Sequence, residues 1–253
     1  MTVIALAGVK GGVGKTATAV NLAVLAARGD APALLWDLDP QGAAGFCLAE
    51  EATLKRKPAR LLSGRGGLRA EAVATPYPGL DLVPSRLGMR HLERLLGPAD
   101  RKRGGLRSAL RGVRRTYRWV VLDCSSGAGR VMEHVLRAAD LVLAPVVPSP
   151  LAIRGYEELL VLAAKTGARR ERIVPFFSMV EDRKRLHRQA MAALRQRDAG
   201  FLNTAIPYRA DIERMGETRK PIVAHRLSSP GTTAYQALWR ECRRRVAATA
   251  TGA

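Results

Sequence analysis

The chain has 253 residues, of which 47% are hydrophobic, and this composition is typical of a folded protein with a sizeable core. No apolar run approaches the ~18–20 residues of a membrane-spanning helix, and no charged leader or cleavage site precedes the first apolar segment, so we expect no export signal and a cytoplasmic location. The formal net charge of +20 predicts attraction to a polyanion, and the spacing of Cys47, Cys124 and Cys242 argues against a disulfide framework or a zinc site.

A glycine-rich loop lies between the first two predicted elements. Residues 3–7 are apolar and predict a buried strand, residues 17–29 predict a helix, and residues 10–16 between them read Lys-Gly-Gly-Val-Gly-Lys-Thr. This is the context of a phosphate-binding loop, because glycines let several backbone N–H groups turn inward and the helix N-terminus adds partial positive charge. Lys15 would reach the β- and γ-phosphates of a nucleotide, and the Thr16 hydroxyl would ligate Mg²⁺.

Strands and helices alternate along the rest of the chain. Apolar runs predict strands at residues 33–39, 80–84, 119–123, 141–147, 173–180 and 204–207. Helical spacing predicts helices at residues 86–97, within the basic stretch 101–118, at 151–166, at 183–198 and at the C-terminus, whereas residues 50–78 lack strong periodicity. This alternation predicts a mostly parallel sheet with right-handed crossovers and with ligands at the carboxyl ends of the strands.

Carboxylates follow two of these strands at the edge where a ligand is expected. Asp37 and Asp39 end the second predicted strand, and residues two apart point to the same side of a strand. Asp123 follows four apolar residues, and a carboxylate in that position can hold a Mg²⁺-bound water. Asp37 would lie close to the Mg²⁺ shell; the alternative is that it forms a salt bridge with Lys15 or caps a turn.

One departure from the usual phosphate loop is informative. Val9 stands where that loop opens with glycine, and Lys10 adds a second lysine. This is the deviant Walker A form, and the chain resembles the ParA/MinD family of partitioning and positioning ATPases. The resemblance implies an α/β P-loop NTPase with a mostly parallel twisted sheet and helices on both faces, a single ATPase domain over residues 1–253, ATP and Mg²⁺ as cofactors, and a homodimer when ATP is bound.

The resemblance also implies roles for individual residues. Lys10 would cross the dimer interface to touch the partner's ATP (the alternative is a solvated loop cation), and Asp39 would position the attacking water. The resemblance thus implies that Lys10, Lys15 and Asp39 are catalytic residues and that Thr16, Asp37 and Asp123 bind the metal ion. Nucleotide contacts fall to Lys10, Gly11, Gly12, Val13, Gly14, Lys15, Thr16 and Ala17, with Ser178 and Pro207 beside the base.

Two departures bear on the catalytic cycle. In the family the strand is usually followed by Asp-x-Pro-Pro, and this loop, called the second switch, relays the nucleotide state. This chain reads Asp123-Cys124-Ser125-Ser126, and the loss of both prolines predicts a more flexible second switch. Ser178 stands where relatives often carry an asparagine that touches adenine. No arginine finger is assignable, so we expect slow hydrolysis that a partner stimulates.

The basic residues predict a nucleic-acid surface. A GC-rich genome would explain why arginine outnumbers lysine, but it does not explain the shortage of acids. Few aromatic residues accompany the arginines, so we expect phosphate contacts with double-stranded DNA and no sequence preference. The resemblance places these contacts in the C-terminal half, at Arg195, Arg197, Arg209, Arg214, Arg219, Lys220, Arg243 and Arg244.

These expectations combine into a ParA-type ATPase that binds the nucleoid and positions a cargo (a plasmid, a chromosome origin or a protein complex such as a carboxysome) with a ParB-like adaptor. The alternative is a MinD-like regulator of cell division at the membrane, which needs a C-terminal amphipathic anchor. The last helix does place Tyr235, Leu238, Trp239, Cys242 and Val246 on one face, although a helix packed on the core gives the same pattern. A nitrogenase iron protein is excluded because the spacing of its cluster cysteines is absent.

Overall fold

One eight-stranded sheet organises the protein in a computed structural model, which describes residues 1–29, 31–48, 54, 58–62, 66–85, 92–97 and 105–251. The strands are β1 (Thr2–Leu6), β2 (Ala33–Asp37), β3 (Val73–Ala74), β4 (Leu80–Val83), β5 (Trp119–Asp123), β6 (Leu141–Val146), β7 (Ile173–Val180) and β8 (Ala205–Pro207). Their order in the sheet is β3-β4-β2-β5-β1-β6-β7-β8. Every neighbouring pair is parallel except β3 with β4, which confirms the predicted mostly parallel sheet.

Helices connect the strands, as parallel pairing requires. In the first half of the described chain they are α1 (Lys15–Ala27), α2 (Ala43–Cys47), α3 (Pro58–Leu61), α4 (Gly67–Glu71), α5 (Leu92–Leu95) and α6 (Gly105–Arg111). In the second half they are α7 (Arg130–Ala138), α8 (Pro150–Thr166), α9 (Arg185–Arg197), α10 (Ala210–Glu213), α11 (Met215–Thr218), α12 (Ile222–His225) and α13 (Pro230–Thr251).

The sheet separates two hydrophobic cores. Side chains alternate along a strand, so Val3 and Ala5 of β1 face one core and Ile4 and Leu6 face the other. The first core includes residues of α6, α7 and α8, and the second includes residues of α1, α12 and α13. Helices therefore cover both faces, as predicted, and the buried strands can be apolar throughout.

Some predicted boundaries were wrong. Strand β2 ends at Asp37, so Asp39 lies in the following loop, and the argument that both carboxylates share one side of a strand fails. Of the helix predicted at residues 86–97, residues 86–91 lie outside the described residues and Leu92–Leu95 is helical. The described parts of residues 50–78 contain two short helices and β3. The sequence shows no strong periodicity there because elements of this length are too short to establish a repeating pattern.

The apolar face of α13 packs on the second core. Tyr235, Leu238 and Cys242 are fully buried, and the Trp239 ring meets the Trp119 ring edge to face with centroids 4.8 Å apart. This face is therefore a packing surface of the fold, which was the simpler of the two interpretations of its sequence. In the part of the chain that the structure describes, no helix combines the length and apolarity that crossing a membrane requires.

A buried asparagine joins α1 to the C-terminal helices. The Asn21 amide donates to the Ala17 carbonyl at 2.7 Å, and its Oδ1 accepts the Val223 N–H of α12 at 3.2 Å. Replacement by alanine should lower the free energy of unfolding by about 1–3 kcal/mol, because the Val223 N–H is then left without its partner away from water. Urea denaturation measures this change. Asn203→Ala, at an exposed position, is the control, and an equal effect in both variants would contradict the prediction.

Candidate functional site

The glycine loop forms an open anion cradle between β1 and α1. Gly12 and Gly14 have φ values of +70° and +87°, which side-chain-bearing residues rarely adopt. Gly14 is the N-cap of α1, and no side chain of the described residues caps this terminus. The first N–H groups of a helix have no partner within the helix, so they remain available to a phosphate. The helix begins at Lys15, two residues before the predicted start.

Lys15 lies inside this cradle. It is only 7% exposed, and its Nζ donates to the Lys10 carbonyl at 3.0 Å and to the Ser126 hydroxyl at 2.7 Å. Burial lowers the pKa of Lys15, while the nearby Asp123 carboxylate opposes that effect. A phosphate group in the loop would add negative charge beside this buried ammonium.

Asp37 and Asp123 occupy neighbouring strand ends. The parallel register of β2 and β5 pairs these two residues, and both are fully buried. Neither carboxylate oxygen of Asp123 has a hydrogen-bond partner among the described residues. Burial, and then the Asp37 charge, raise the pKa of Asp123 well above its usual range. An unpartnered buried carboxylate beside the Thr16 hydroxyl is a donor set that suits Mg²⁺.

Asp37 has a different environment. Its Oδ1 accepts the Asp39 N–H at 3.0 Å, and its Oδ2 accepts the N–H groups of Ala44 and Gly45 at 3.1 and 3.4 Å. Asp37 therefore caps the turn before α2, which is the alternative that the sequence left open. Burial raises its pKa to about 7 despite these backbone hydrogen bonds. A role in the Mg²⁺ shell stays a prediction for this residue.

The other predicted catalytic residues flank the cradle. Asp39 is half-buried, and its Oδ1 accepts the Gln41 N–H at 2.9 Å within the turn that precedes α2. Lys10 is exposed, and its backbone passes close to α8, where a Cβ on Gly155 would lie 3.1 Å from the Lys10 Cβ. A side chain at position 155 would therefore be tightly packed against the loop, and glycine allows their close approach. The roles of Asp39 with water and of Lys10 with a partner's ATP remain predictions.

A mainly apolar cavity of about 320 Å³ adjoins the cradle. Ser178 and Pro207 line it, as expected for residues beside a base, and the Ser178 hydroxyl would be 3.0 Å from a Cβ on Gly14. Met179 and Tyr208, which are next to Ser178 and Pro207 in the segments that resemble the family, also line the cavity. Sequence analysis did not identify Ala43, Cys47, Ile212, Met215 and Tyr235 as lining residues. These residues come from separate segments and share no motif, so no local sequence signal identifies them.

The basic residues predicted to bind DNA lie in separate groups. Arg195, Arg197, Arg214, Lys220, Arg243 and Arg244 are exposed. Arg209 lines the cavity and lies 3.3 Å from Asp211. The Arg219 guanidinium stacks on the Phe46 ring of α2 at 4.8 Å, so this side chain also contacts the helix that follows the Asp37–Asp39 turn. The structure leaves the DNA-binding assignments as predictions.

Comparisons with known proteins agree with this geometry. A family model described as an AAA domain matches residues 1–172. The chain is 30% identical over 249 residues to the chromosome partitioning protein ParA of Caulobacter vibrioides, covering 95% of this chain and 93% of that protein. It is 34% identical over 250 residues to the chromosome-partitioning ATPase Soj of Thermus thermophilus, covering 96% of each. The chain belongs to the ParA/MinD family of P-loop ATPases.

Solved structures share the fold of this ParA/MinD chain. A plasmid partition protein of Borrelia burgdorferi bound to AMPPNP matches with a TM-score of 0.77 at 20% identity, covering 96% of this chain and 99% of that chain. The cell division ATPase MinD of Pyrococcus furiosus matches with a TM-score of 0.75 at 17% identity, covering 96% and 98%. Cobyrinic acid a,c-diamide synthase of Mycobacterium smegmatis, with bound ADP and magnesium, matches with a TM-score of 0.74 at 24% identity, covering 96% and 94%. The predicted P-loop NTPase fold is confirmed.

The buried Asp123 carboxylate leads to a testable expectation. Asp123→Asn should not lower the melting temperature of the Mg²⁺-free protein, because a neutral amide replaces a carboxylate whose charge is desolvated and unpartnered. The variant should lack the rise in melting temperature that ADP with Mg²⁺ gives the unmodified chain over ADP with EDTA. Thermal unfolding measures both effects, with Asp182→Asn at an exposed position as the control. A full Mg²⁺ effect in Asp123→Asn would contradict the metal assignment.

Proposed function

We propose that residues 1–253 act as one ATPase domain that forms an ATP-sandwich dimer, binds double-stranded DNA without sequence preference and positions a cargo on the nucleoid. A ParB-like adaptor would carry the cargo and stimulate hydrolysis. The observation that carries this proposal is the uncapped glycine loop beside the unpartnered Asp123 carboxylate and the apolar cavity. Together they provide for the phosphates, the metal and the base of Mg²⁺–ATP.

Different residues of this chain would bind the phosphates, the metal ion, the nucleoside and the attacking water. The loop N–H groups and Lys15 bind the phosphates, Thr16 and Asp123 would hold Mg²⁺, and the cavity takes the nucleoside. Bound Mg²⁺ neutralises charge that develops on the phosphates. Asp39, in the turn between β2 and α2, would orient the attacking water. Because no arginine of this chain is assigned to the reacting phosphate, hydrolysis is slow until a second copy of the chain completes the site.

Dimerisation would complete the site. Lys10 is exposed at the start of the loop, where its backbone passes close to Gly155 of α8, and an exposed ammonium group is accessible to a second copy of the chain. An ammonium group from a second copy would add positive charge at the γ-phosphate. ATP would then favour the closed dimer, and hydrolysis would favour its opening.

Lys10→Ala should leave nucleotide binding to the monomer intact and weaken the ATP-dependent dimer, because the deleted charge acts on the partner's ATP and not on its own. Sedimentation or light scattering with ATP measures the dimer, and a fluorescent ADP measures monomer binding. Lys15→Ala is the matched comparison, and it should abolish both. An unchanged ATP-dependent dimer in Lys10→Ala would refute the trans contact.

DNA is favoured over a membrane as the surface that this ATPase binds. The net charge of +20 suits a phosphate backbone, and exposed arginines lie on α9, on the segment before α12 and on α13. The MinD-like alternative needs an amphipathic anchor, but the apolar face of α13 is buried against the core up to Cys242. Releasing that face to a membrane would expose the second core to water.

Binding to a random-sequence duplex and to anionic liposomes, with ATP, with ADP and without nucleotide, tests this choice. We expect ATP-dependent DNA binding that weakens as salt rises, and no liposome binding. The double variant with Arg243→Ala and Arg244→Ala should bind DNA more weakly than the unmodified chain. Its slope of log affinity against log salt concentration should be smaller by about one for each phosphate that is no longer neutralised. Arg111→Ala, on the opposite face of the sheet, is the control. ATP-dependent liposome binding without DNA binding would assign the protein to the MinD-like class.

A further inference from the structure

Ser126, in the segment after β5, contacts both ends of the glycine loop. Its hydroxyl accepts a hydrogen bond from Lys15 Nζ at 2.7 Å and lies 3.5 Å from the Lys10 carbonyl, which Lys15 also contacts. A Cβ on Gly11 would lie 3.5 Å from the same hydroxyl. Ser126 thus connects the segment after β5 to Lys15 and to Lys10 at the start of the loop.

The Ser126 contact is specific within its segment. Among residues 124–129, which link β5 to α7 and are all described, no other side chain is hydrogen-bonded to the glycine loop. The Ser125 hydroxyl makes no hydrogen bond within the described part of the chain. The far end of the segment is held separately, because the Glu93 carboxylate accepts the N–H groups of Arg130 and Val131 at the start of α7. Gly127 between the two anchors has a φ of +124°, so the segment can pivot there.

The Lys15 ammonium has three hydrogen-bond donors, and two of them are directed to the Lys10 carbonyl and the Ser126 hydroxyl. Phosphate oxygens are charged acceptors and form stronger hydrogen bonds with an ammonium than a neutral hydroxyl does. A phosphate that accepts hydrogen bonds from more than the one remaining donor of Lys15 therefore competes with Ser126 for that ammonium.

We propose that Ser126 is a latch that holds Lys15 through this hydrogen bond and is released when a nucleotide phosphate takes the bond over. This regulation rests on the nucleotide site of the proposed function. Its consequence is that arrival of the β-phosphate frees the segment between Asp123 and α7, so the second switch responds to occupancy of the site before hydrolysis. A proline at position 126 would have no hydroxyl and could not form this latch.

Nucleotide affinity tests the latch. Ser126→Ala should bind both ADP and ATP about 5- to 20-fold more tightly than the unmodified chain, because the phosphate no longer displaces a hydrogen bond. Ser126→Thr keeps the hydroxyl and should restore affinity to within about twofold of the unmodified chain. Ser125→Ala, at the neighbouring serine, should leave affinity unchanged. Titration calorimetry of the full chain with Mg²⁺–ADP and Mg²⁺–ATP gives these values.

Hydrogen exchange of the segment provides an independent readout. In the unmodified chain, ADP should raise exchange at residues 124–129, whereas in Ser126→Ala exchange should already be high without nucleotide and should change little with ADP. Equal or weaker ADP binding by Ser126→Ala would overturn the latch while leaving the nucleotide site intact. Failure of the unmodified chain and of Ser125→Ala to bind either nucleotide would instead overturn the proposed function itself.

Discussion

The arrangement depends on one constraint, which is that the parallel register of β2 and β5 buries two carboxylates side by side. Asp37 and Asp123 end adjacent strands with no exposure to water. Asp37 is compensated by three backbone N–H groups, but Asp123 has no hydrogen-bond partner among the described residues. Burial raises the pKa of both carboxyls, the nearby Asp37 charge adds to this effect at Asp123, and the Lys15 ammonium opposes it there.

Three loops depend on this edge of the sheet, and each contacts another segment. The glycine loop reaches the segment after β5 through Lys15 and Ser126. The turn after β2 is capped by Asp37, and the α2 helix that follows it contacts the C-terminal segment through Phe46 and Arg219. A change in the charge bound at the site therefore has direct physical routes to surface segments, through hydrogen bonds and ring contacts that the described residues already make.

The surface chemistry is consistent with a polyanion as the partner. Several guanidinium groups on α9 and α13 are exposed, and that of Arg197 lies 3.6 Å from the Glu157 carboxylate. The apolar face of α13 that would otherwise serve a membrane is part of the core. These exposed guanidinium groups contribute to the net charge of +20 and favour contact with a polyanion.

Local sequence determined the strand–loop–helix unit, the mostly parallel sheet and the family, because glycine spacing, Lys10 with Lys15 and apolar runs act over a few neighbouring residues. The apolar run before Asp123 also placed this residue at the end of a buried strand, and the family resemblance pointed to Ser178 and Pro207, which line the cavity. Only the tertiary structure decided that Asp37 caps a turn, that Asp39 lies beyond its strand, that separate segments build the cavity and that Ser126 holds Lys15. Those features depend on contacts between residues as far apart as Lys15 and Ser126, and a one-dimensional pattern carries no information about which distant side chains the sheet brings together.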